Sequence, residues 1–329
     1  MSNNQESCLI KLISGESNVY SGDVFKGLIG QKSAVNQIKF YAASHSYIRP
    51  FPTVLLQGGH GLGKTYLSKK IAESLGRRFI EINSETVLSK ESFVEDIILN
   101  KILGDSPATV LFDEAHGLPK QVASMLLTIL SPNSLHKNII SFINYNMEWD
   151  LGKINTIFAT NDHCKIPVAL RNRCFPIILT PYSNNELIDI IKFYLPRDVE
   201  ITANEEEIAY ACRGRARGAY MVSEDIRREC DINDTKIFDD EKWAYLKEII
   251  YRFPLGLNKQ EVEMMEIIKE DSPISSYNIS TKLMVEEDTI TKDYEIRPRE
   301  LGLMANTGKG RVLTAKGIEY LNKLLVTEE

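Results

Sequence analysis

Residues 53–75 read Thr53-Val-Leu-Leu-Gln57-Gly58-Gly-His60-Gly61-Leu-Gly63-Lys64-Thr65-Tyr-Leu67-Ser-Lys-Lys-Ile71-Ala-Glu-Ser-Leu75, and this stretch decides the fold. A short apolar run leads into G-x-x-x-x-G-K-[ST], and a segment with Leu67, Ile71 and Leu75 on one helical face follows. Strand, glycine-rich loop and helix in that order form a phosphate-binding loop. Gly58, Gly61 and Gly63 let backbone N–H groups curl around phosphate oxygens, and the helix N-terminus adds partial positive charge. Lys64 is expected on the β- and γ-phosphates of ATP, with the Thr65 hydroxyl on Mg²⁺.

Outward from this loop, apolar runs recur at Phe79–Ile82, Val110–Phe112, Thr156–Ala159 and Ile177–Leu179, separated by helical stretches. Short continuous apolar runs fit strands covered on both faces, so the expectation is an α/β domain built on a parallel sheet. The third run ends in Asp113-Glu114. Such a strand delivers its last side chains to the carboxyl edge of the sheet, beside the phosphate loop. Asp113 is expected to hold Mg²⁺ through water, and Glu114 to orient and deprotonate the attacking water. Thr160-Asn161 closes the next run, where an amide can position that water or the γ-phosphate. Arg171-Asn-Arg173 precedes the last run and suggests a cationic finger reaching a neighbouring subunit's nucleotide.

From Asn184 to Arg252 helical spacing dominates and no strand is expected. Arg213-Gly-Arg215-Ala-Arg217 opens one of these helical segments. From Gly256 onward, helical stretches lead to a glycine-rich turn at Asn306–Gly310 between two short apolar runs, the pattern of a winged helix. Residues 261–288 carry two basic and eight acidic side chains, whereas residues 292–323 carry seven basic and four acidic ones. The basic end holds the turn, and Lys309 and Arg311 are expected to reach DNA phosphates there.

The composition is that of a folded protein: 329 residues, 43% hydrophobic and 26% charged, with a net charge of −6. That excludes wholesale disorder and a uniformly basic nucleic-acid binder. The five cysteines are scattered and none forms C-x-x-C, so neither a disulfide framework nor a zinc site is expected. No apolar run approaches a membrane span and the start shows no secretory signal, which sets a cytoplasmic, DNA-associated expectation.

Taken together, these motifs resemble an AAA+ ATPase, and more narrowly the RuvB family of Holliday-junction branch-migration motors, over nearly the whole chain. Ile29-Gly-Gln31 resembles the family's entry motif, placing Ile29 beside the nucleotide. Gly61–Thr65 and Leu111–His116 resemble its Walker A and B motifs, and Ala159–Asn161 its sensor 1. Ala169–Arg173 is similar to the arginine-finger motif, with Arg173 as the finger. The resemblance makes Tyr182 an adenine-side contact and Arg217 the second sensor. Leu255–Leu257 and Gly308–Thr314 resemble the start and hairpin of the family's winged helix. The chain departs from the pattern at Gly59-His60, where the family has two prolines, at Cys174-Phe175-Pro176, and at Asn306, where the family has arginine.

The resemblance implies a hexameric homo-oligomeric ring driving duplex or branched DNA. The implied organisation is an arm over 1–22, an ATPase domain over 23–181, a helical lid over 182–253 and a winged helix over 254–329. The segment Asn138–Asp150 reads as a hairpin with Ile139, Ile143, Tyr145, Met147 and Trp149 on alternate positions. In the resembled family such a hairpin docks the junction-binding partner RuvA. Two other readings compete with the motor: a loader-type ATPase subunit that assembles another ring, and a scaffold without catalysis. Intact Lys64, Asp113 and Glu114 oppose the scaffold, and the winged helix opposes the loader.

Overall fold

The computed structural model describes residues 22–46, 49–104, 106–131, 136–143, 145–250 and 253–327. The arm expected over 1–22 lies outside them except for Gly22. The chain divides into two compact units, residues 1–182 and 183–329.

In the first unit the five apolar runs form β1 (Val54–Gln57), β2 (Arg78–Asn83), β3 (Ala108–Asp113), β6 (Ile154–Thr160) and β7 (Phe175–Ile178), with β4 (Lys137–Phe142) and β5 (Tyr145–Asp150) forming a separate hairpin. The sheet order is β2-β3-β6-β1-β7, and all neighbours are parallel. Alternate residues feed two cores. Leu55, Phe112 and Phe158 pack on one face, and Leu56, Leu111 and Ile157 on the other. Helix α1 (Lys32–Ala43) and helix α2 (Lys64–Ser74) cover the second face through Ile38, Leu67 and Ile71. Helix α3 (Lys120–Ile129) covers the first through Val122, Leu126 and Ile129. The pairing Gln57↔Thr160 and Asn83↔Asp113 aligns the carboxyl ends of the strands. The chain leaves β1 in one direction toward β2, β3 and β6, while β7 lies on its other side, so a switch point opens at the end of β1.

The β4–β5 hairpin corrects the expected single stripe. Each cross-strand pair joins an odd-numbered to an even-numbered residue, as in Ile139↔Glu148 and Ile140↔Met147. Odd positions on the two strands therefore face opposite ways. Met147 and Trp149 are buried with Ile140 and Phe142 against α3, whereas Ile139, Ile143 and Tyr145 are exposed.

The second unit begins with α4 (Asn184–Tyr194), whose N-terminus is closed by a reciprocal Ser183–Glu186 capping box. It continues through α5 (Glu205–Ala211), α6 (Ala216–Ile232) and α7 (Asp240–Ile249). A two-residue parallel ladder, β8 (Glu200–Ile201) with β9 (Ile237–Phe238), interrupts the segment where no strand was expected. Two residues are too few to show any period, and the ladder forms because the buried Phe238 anchors its end. The winged domain follows: α8 (Lys259–Asp271), α9 (Ser276–Leu283), α10 (Ile296–Glu300), the antiparallel pair β10 (Met304–Thr307) and β11 (Gly310–Leu313), and α11 (Ala315–Thr327). Its core is Val262, Met265, Ile268, Ile279, Ile290, Leu303 and Leu321.

The lid and the winged domain meet closely. Gly256 has φ +71°, and a Cβ there would lie 2.2 Å from the Tyr210 carbonyl oxygen, so only glycine fits. Beside it, Arg213 (φ 58°) forms an ion pair with the buried Glu261 of α8. Glu261 also caps its own helix, accepting the Asn258 N–H at 2.8 Å. Burial pushes the Glu261 carboxyl upward, and the Arg213 charge opposes that shift.

Candidate nucleotide site at the sheet edge

The loop after β1 winds through left-handed glycines at Gly61 (φ 74°) and Gly63 (φ 95°), and α2 starts directly from the latter. Lys64 is buried, and its Nζ donates to the carbonyls of Gly58 (2.9 Å) and Gly59 (3.1 Å). The ammonium therefore sits at the mouth of the loop, where phosphate oxygens would replace carbonyls as its acceptors. Thr65 Oγ1 donates to Asp113 Oδ2 at 2.9 Å. A hydroxyl and a carboxylate this close, both oxygen donors, suit Mg²⁺, which keeps most of its waters and takes one or two protein oxygens. Among the described residues no group of three or more His, Cys, Asp or Glu side chains gathers as a metal cage. The Thr65–Asp113 pair would fit a cation that arrives with a phosphate.

Glu114 follows Asp113 in the left-handed region (φ 46°), which turns its side chain away from the strand direction. Its Oε2 is buried without a hydrogen-bond partner among the described residues and lies 3.4 Å from His116 Nδ1. His116 Nδ1 is in turn 3.1 Å from Thr160 Oγ1. An unsatisfied carboxylate oxygen at this edge has the character of a base awaiting a water. Asn161, directly after β6, is exposed and hydrogen-bonds the His60 ring. Because β6 lies between β3 and β1, the fold brings Asn161 between Glu114 and the phosphate loop.

Tyr182 closes the rim, its hydroxyl donating to the Leu62 carbonyl at 3.1 Å. Gln31 ties the start of α1 to the segment after β7, donating to the Thr180 carbonyl at 2.7 Å and accepting its N–H at 3.2 Å. Ile29, two residues before Gln31, is half-buried. Arg173 is half-buried beyond the short helical turn Val168–Arg171; its Nη1 donates to the Ala169 carbonyl at 3.0 Å and its Nε is buried without a hydrogen-bond partner among the described residues. Burial pushes the neighbouring Cys174 thiol up to about 12, which disfavours its thiolate form.

In the second unit Arg217 is exposed on the first turn of α6. Lys309 is exposed in the β10–β11 turn. Arg311, expected beside it as a phosphate contact, is instead committed to the interior. Its Nε donates to Glu295 Oε1 at 2.6 Å, and Glu295 is only 1% exposed. Asn306 donates to the other Glu295 oxygen at 3.3 Å. The structure therefore separates Lys309, which faces solvent, from Arg311, which neutralises a buried acid. Sequence reasoning gave no role to three residues here: His60, His116 and Glu295. The available signals were an ionisable side chain inside a glycine loop, a histidine two positions after the catalytic acid, and an acid flanked by Tyr294 and Ile296.

Residues 54–182 match the ATPase family associated with various cellular activities (AAA), and residues 254–322 match the RuvB C-terminal winged helix domain. The Holliday junction branch migration complex subunit RuvB of Ehrlichia ruminantium (strain Gardel) is 30% identical over 304 residues, covering 90% of each chain. The corresponding subunit of Ehrlichia canis (strain Jake) is 29% identical over 308 residues, covering 90% of this chain and 91% of the relative. Among solved structures, the Thermotoga maritima RuvB Holliday junction branch migration motor superposes with a TM-score of 0.74 at 23% identity, covering 93% of this chain and 99% of the other.

Proposed function

The chain belongs to the RuvB family, and from that premise we propose that it is an ATP-hydrolysing motor that drives branch migration of Holliday junctions. The carrying observation is the convergence of Lys64, the Thr65–Asp113 pair, Glu114 and Asn161 on one sheet edge of a chain that ends in a RuvB-type winged helix.

ATP enters with its phosphates against the loop after β1. Lys64 exchanges its carbonyl acceptors for β- and γ-phosphate oxygens, and the loop amides neutralise the remaining charge. Thr65 and Asp113 would hold the Mg²⁺ that screens the phosphate charge. Glu114 takes a proton from the attacking water, and Asn161 orients that water toward the γ-phosphorus. Ile29 and Tyr182 flank the base. Arg173 acts on the nucleotide of a neighbouring copy in a homo-oligomeric ring, which family resemblance makes a hexamer, and Arg217 senses the nucleotide state. Within this reading the chain divides into the arm over 1–22, the ATPase domain over 23–181, the lid over 182–253 and the winged helix over 254–329. Lys309 contacts the DNA backbone, and the β4–β5 hairpin, through its exposed side chains Ile139, Ile143 and Tyr145, receives a RuvA-like junction-binding protein. Among the described residues no helix is long and apolar enough to cross a membrane.

The test is ATP-dependent movement of a four-way junction by the purified chain with a RuvA-type partner. Junction-stimulated hydrolysis together with strand exchange supports the motor. Hydrolysis stimulated only by a ring-shaped clamp or a helicase, without junction movement, replaces it with a loader.

A further inference from the structure

We propose that His60, in the middle of the phosphate loop, is a positioning residue that braces Glu114 and Asn161 for the attack of water. This inference rests on the ATPase reading above and adds a residue to it.

The geometry is specific to three elements. Asp113-Glu114 ends β3, Asn161 follows β6, and His60 rises from the loop after β1. The imidazole of His60 meets both of the others. Its Nε2 is hydrogen-bonded to the Asn161 amide nitrogen, and its Nδ1 stands 3.7 Å from Glu114 Oε1. An amide nitrogen only donates, so Nε2 is the acceptor and the ring proton resides on Nδ1, directed at the carboxylate. One neutral imidazole thus accepts from the group that orients the water and faces its own donor to the group that deprotonates it. The separation at Nδ1 is longer than a hydrogen bond and is a polar contact within reach of one.

The other side of Glu114 explains why a brace is needed. Its Oε2 has no hydrogen-bond partner among the described residues, and the left-handed backbone at Glu114 leaves the side chain without a neighbouring strand to lean on. His116 lies 3.4 Å from Oε2 on the inner side, so the carboxylate is set between two rings, one from its own strand end and one from the phosphate loop. His60 is the more exposed ring, with a side chain 59% accessible, so its packing contributes little to folding and its role is confined to the site. Tying the base and the water-orienting amide to the loop that holds the phosphates makes their spacing follow the nucleotide rather than drift with solvent.

The experiment is steady-state ATP hydrolysis by the full chain, with ATP affinity measured separately in the Glu114→Gln background. His60→Ala is expected to lower kcat by about tenfold while KM and nucleotide affinity change less than about twofold, because an interaction made at the water is lost and the phosphate contacts are kept. His60→Gln, which restores an acceptor and a donor at similar reach, is expected to recover at least about a third of kcat. In an Asn161→Ala background, His60→Ala should cost less than about twofold more, since the two residues act through one contact. An unchanged or raised kcat for His60→Ala, a loss appearing only in KM, no recovery with His60→Gln, or full additivity with Asn161→Ala each overturns the proposal. Glu114→Gln serves as the control. If the unsubstituted chain hydrolyses no ATP, the ATPase reading fails; if Glu114→Gln hydrolyses it at the unsubstituted rate, the role of Glu114 fails; if Glu114→Gln is inactive and His60→Ala is normal, only the brace fails.

Discussion

The sheet edge of the first unit and the winged domain of the second handle charge in opposite ways. At the sheet edge one acid is left uncommitted: Glu114 keeps a buried oxygen without a hydrogen-bond partner among the described residues, near the Thr65 hydroxyl and Asp113 carboxylate, which hold each other at 2.9 Å. In the winged domain two arginines are consumed internally. Arg311 is paired to the buried Glu295, and Arg297 donates to the Leu255 carbonyl at 3.2 Å while burial pulls its own basicity down. A cluster that looks functional by residue count can therefore be structural, and one that looks ordinary by composition can be chemical. Partner geometry separates them.

The largest effect that tests this contrast is at the uncommitted edge. Glu114→Gln should retain ATP but lose hydrolysis by about 10²–10⁴-fold, whereas Lys64→Ala should lose ATP itself. Equilibrium binding beside single-turnover hydrolysis distinguishes the two, and wild-type turnover in Glu114→Gln would break the comparison on this side. Next is Arg173→Ala, expected to lower hydrolysis by about 10³-fold. Mixing it with Lys64→Ala subunits should restore part of the rate, because each kind of subunit supplies what the other lacks. No recovery in mixtures that assemble would make Arg173 a residue of its own subunit's site.

On the committed side, Glu295→Ala strands the Arg311 guanidinium and should cost the fold roughly 3 kcal/mol. Urea unfolding of the full chain measures it, and a loss below about 0.5 kcal/mol would return Arg311 to the pool of free cations. The smallest effect concerns Lys309→Ala. It should leave stability unchanged and reduce the slope of log K for DNA against log salt by about 0.9, uniformly across sequences. Arg311→Ala should instead lower stability. If Lys309→Ala leaves the salt slope where it was, the turn carries no phosphate contact.

What could be read from the sequence follows the same division. All five apolar runs became strands of one parallel sheet because burial on both faces writes a continuous apolar signature. The phosphate loop and the acids after β3 were legible because their chemistry demands fixed spacing. The faces of the β4–β5 hairpin were not, since the register across its turn decides which residues share a side and no local periodicity encodes it. Arg311 and Glu295 are 16 residues apart and Arg213 and Glu261 are 48 apart, so neither pair leaves a mark at helical or strand spacing. Net charge along 292–323 counts the basic side chains but cannot subtract the arginine spent on a buried acid.

The seam where Gly256 presses on Tyr210 and Arg213 pairs with Glu261 has a consequence for anyone recombining these parts. A chimera that exchanges winged domains at residue 254 would join a foreign helix to this lid, and both the glycine and the carboxylate would have to arrive with it. A crossover at the Tyr182–Ser183 division keeps them together. The module of this chain to transplant whole is therefore residues 183–329.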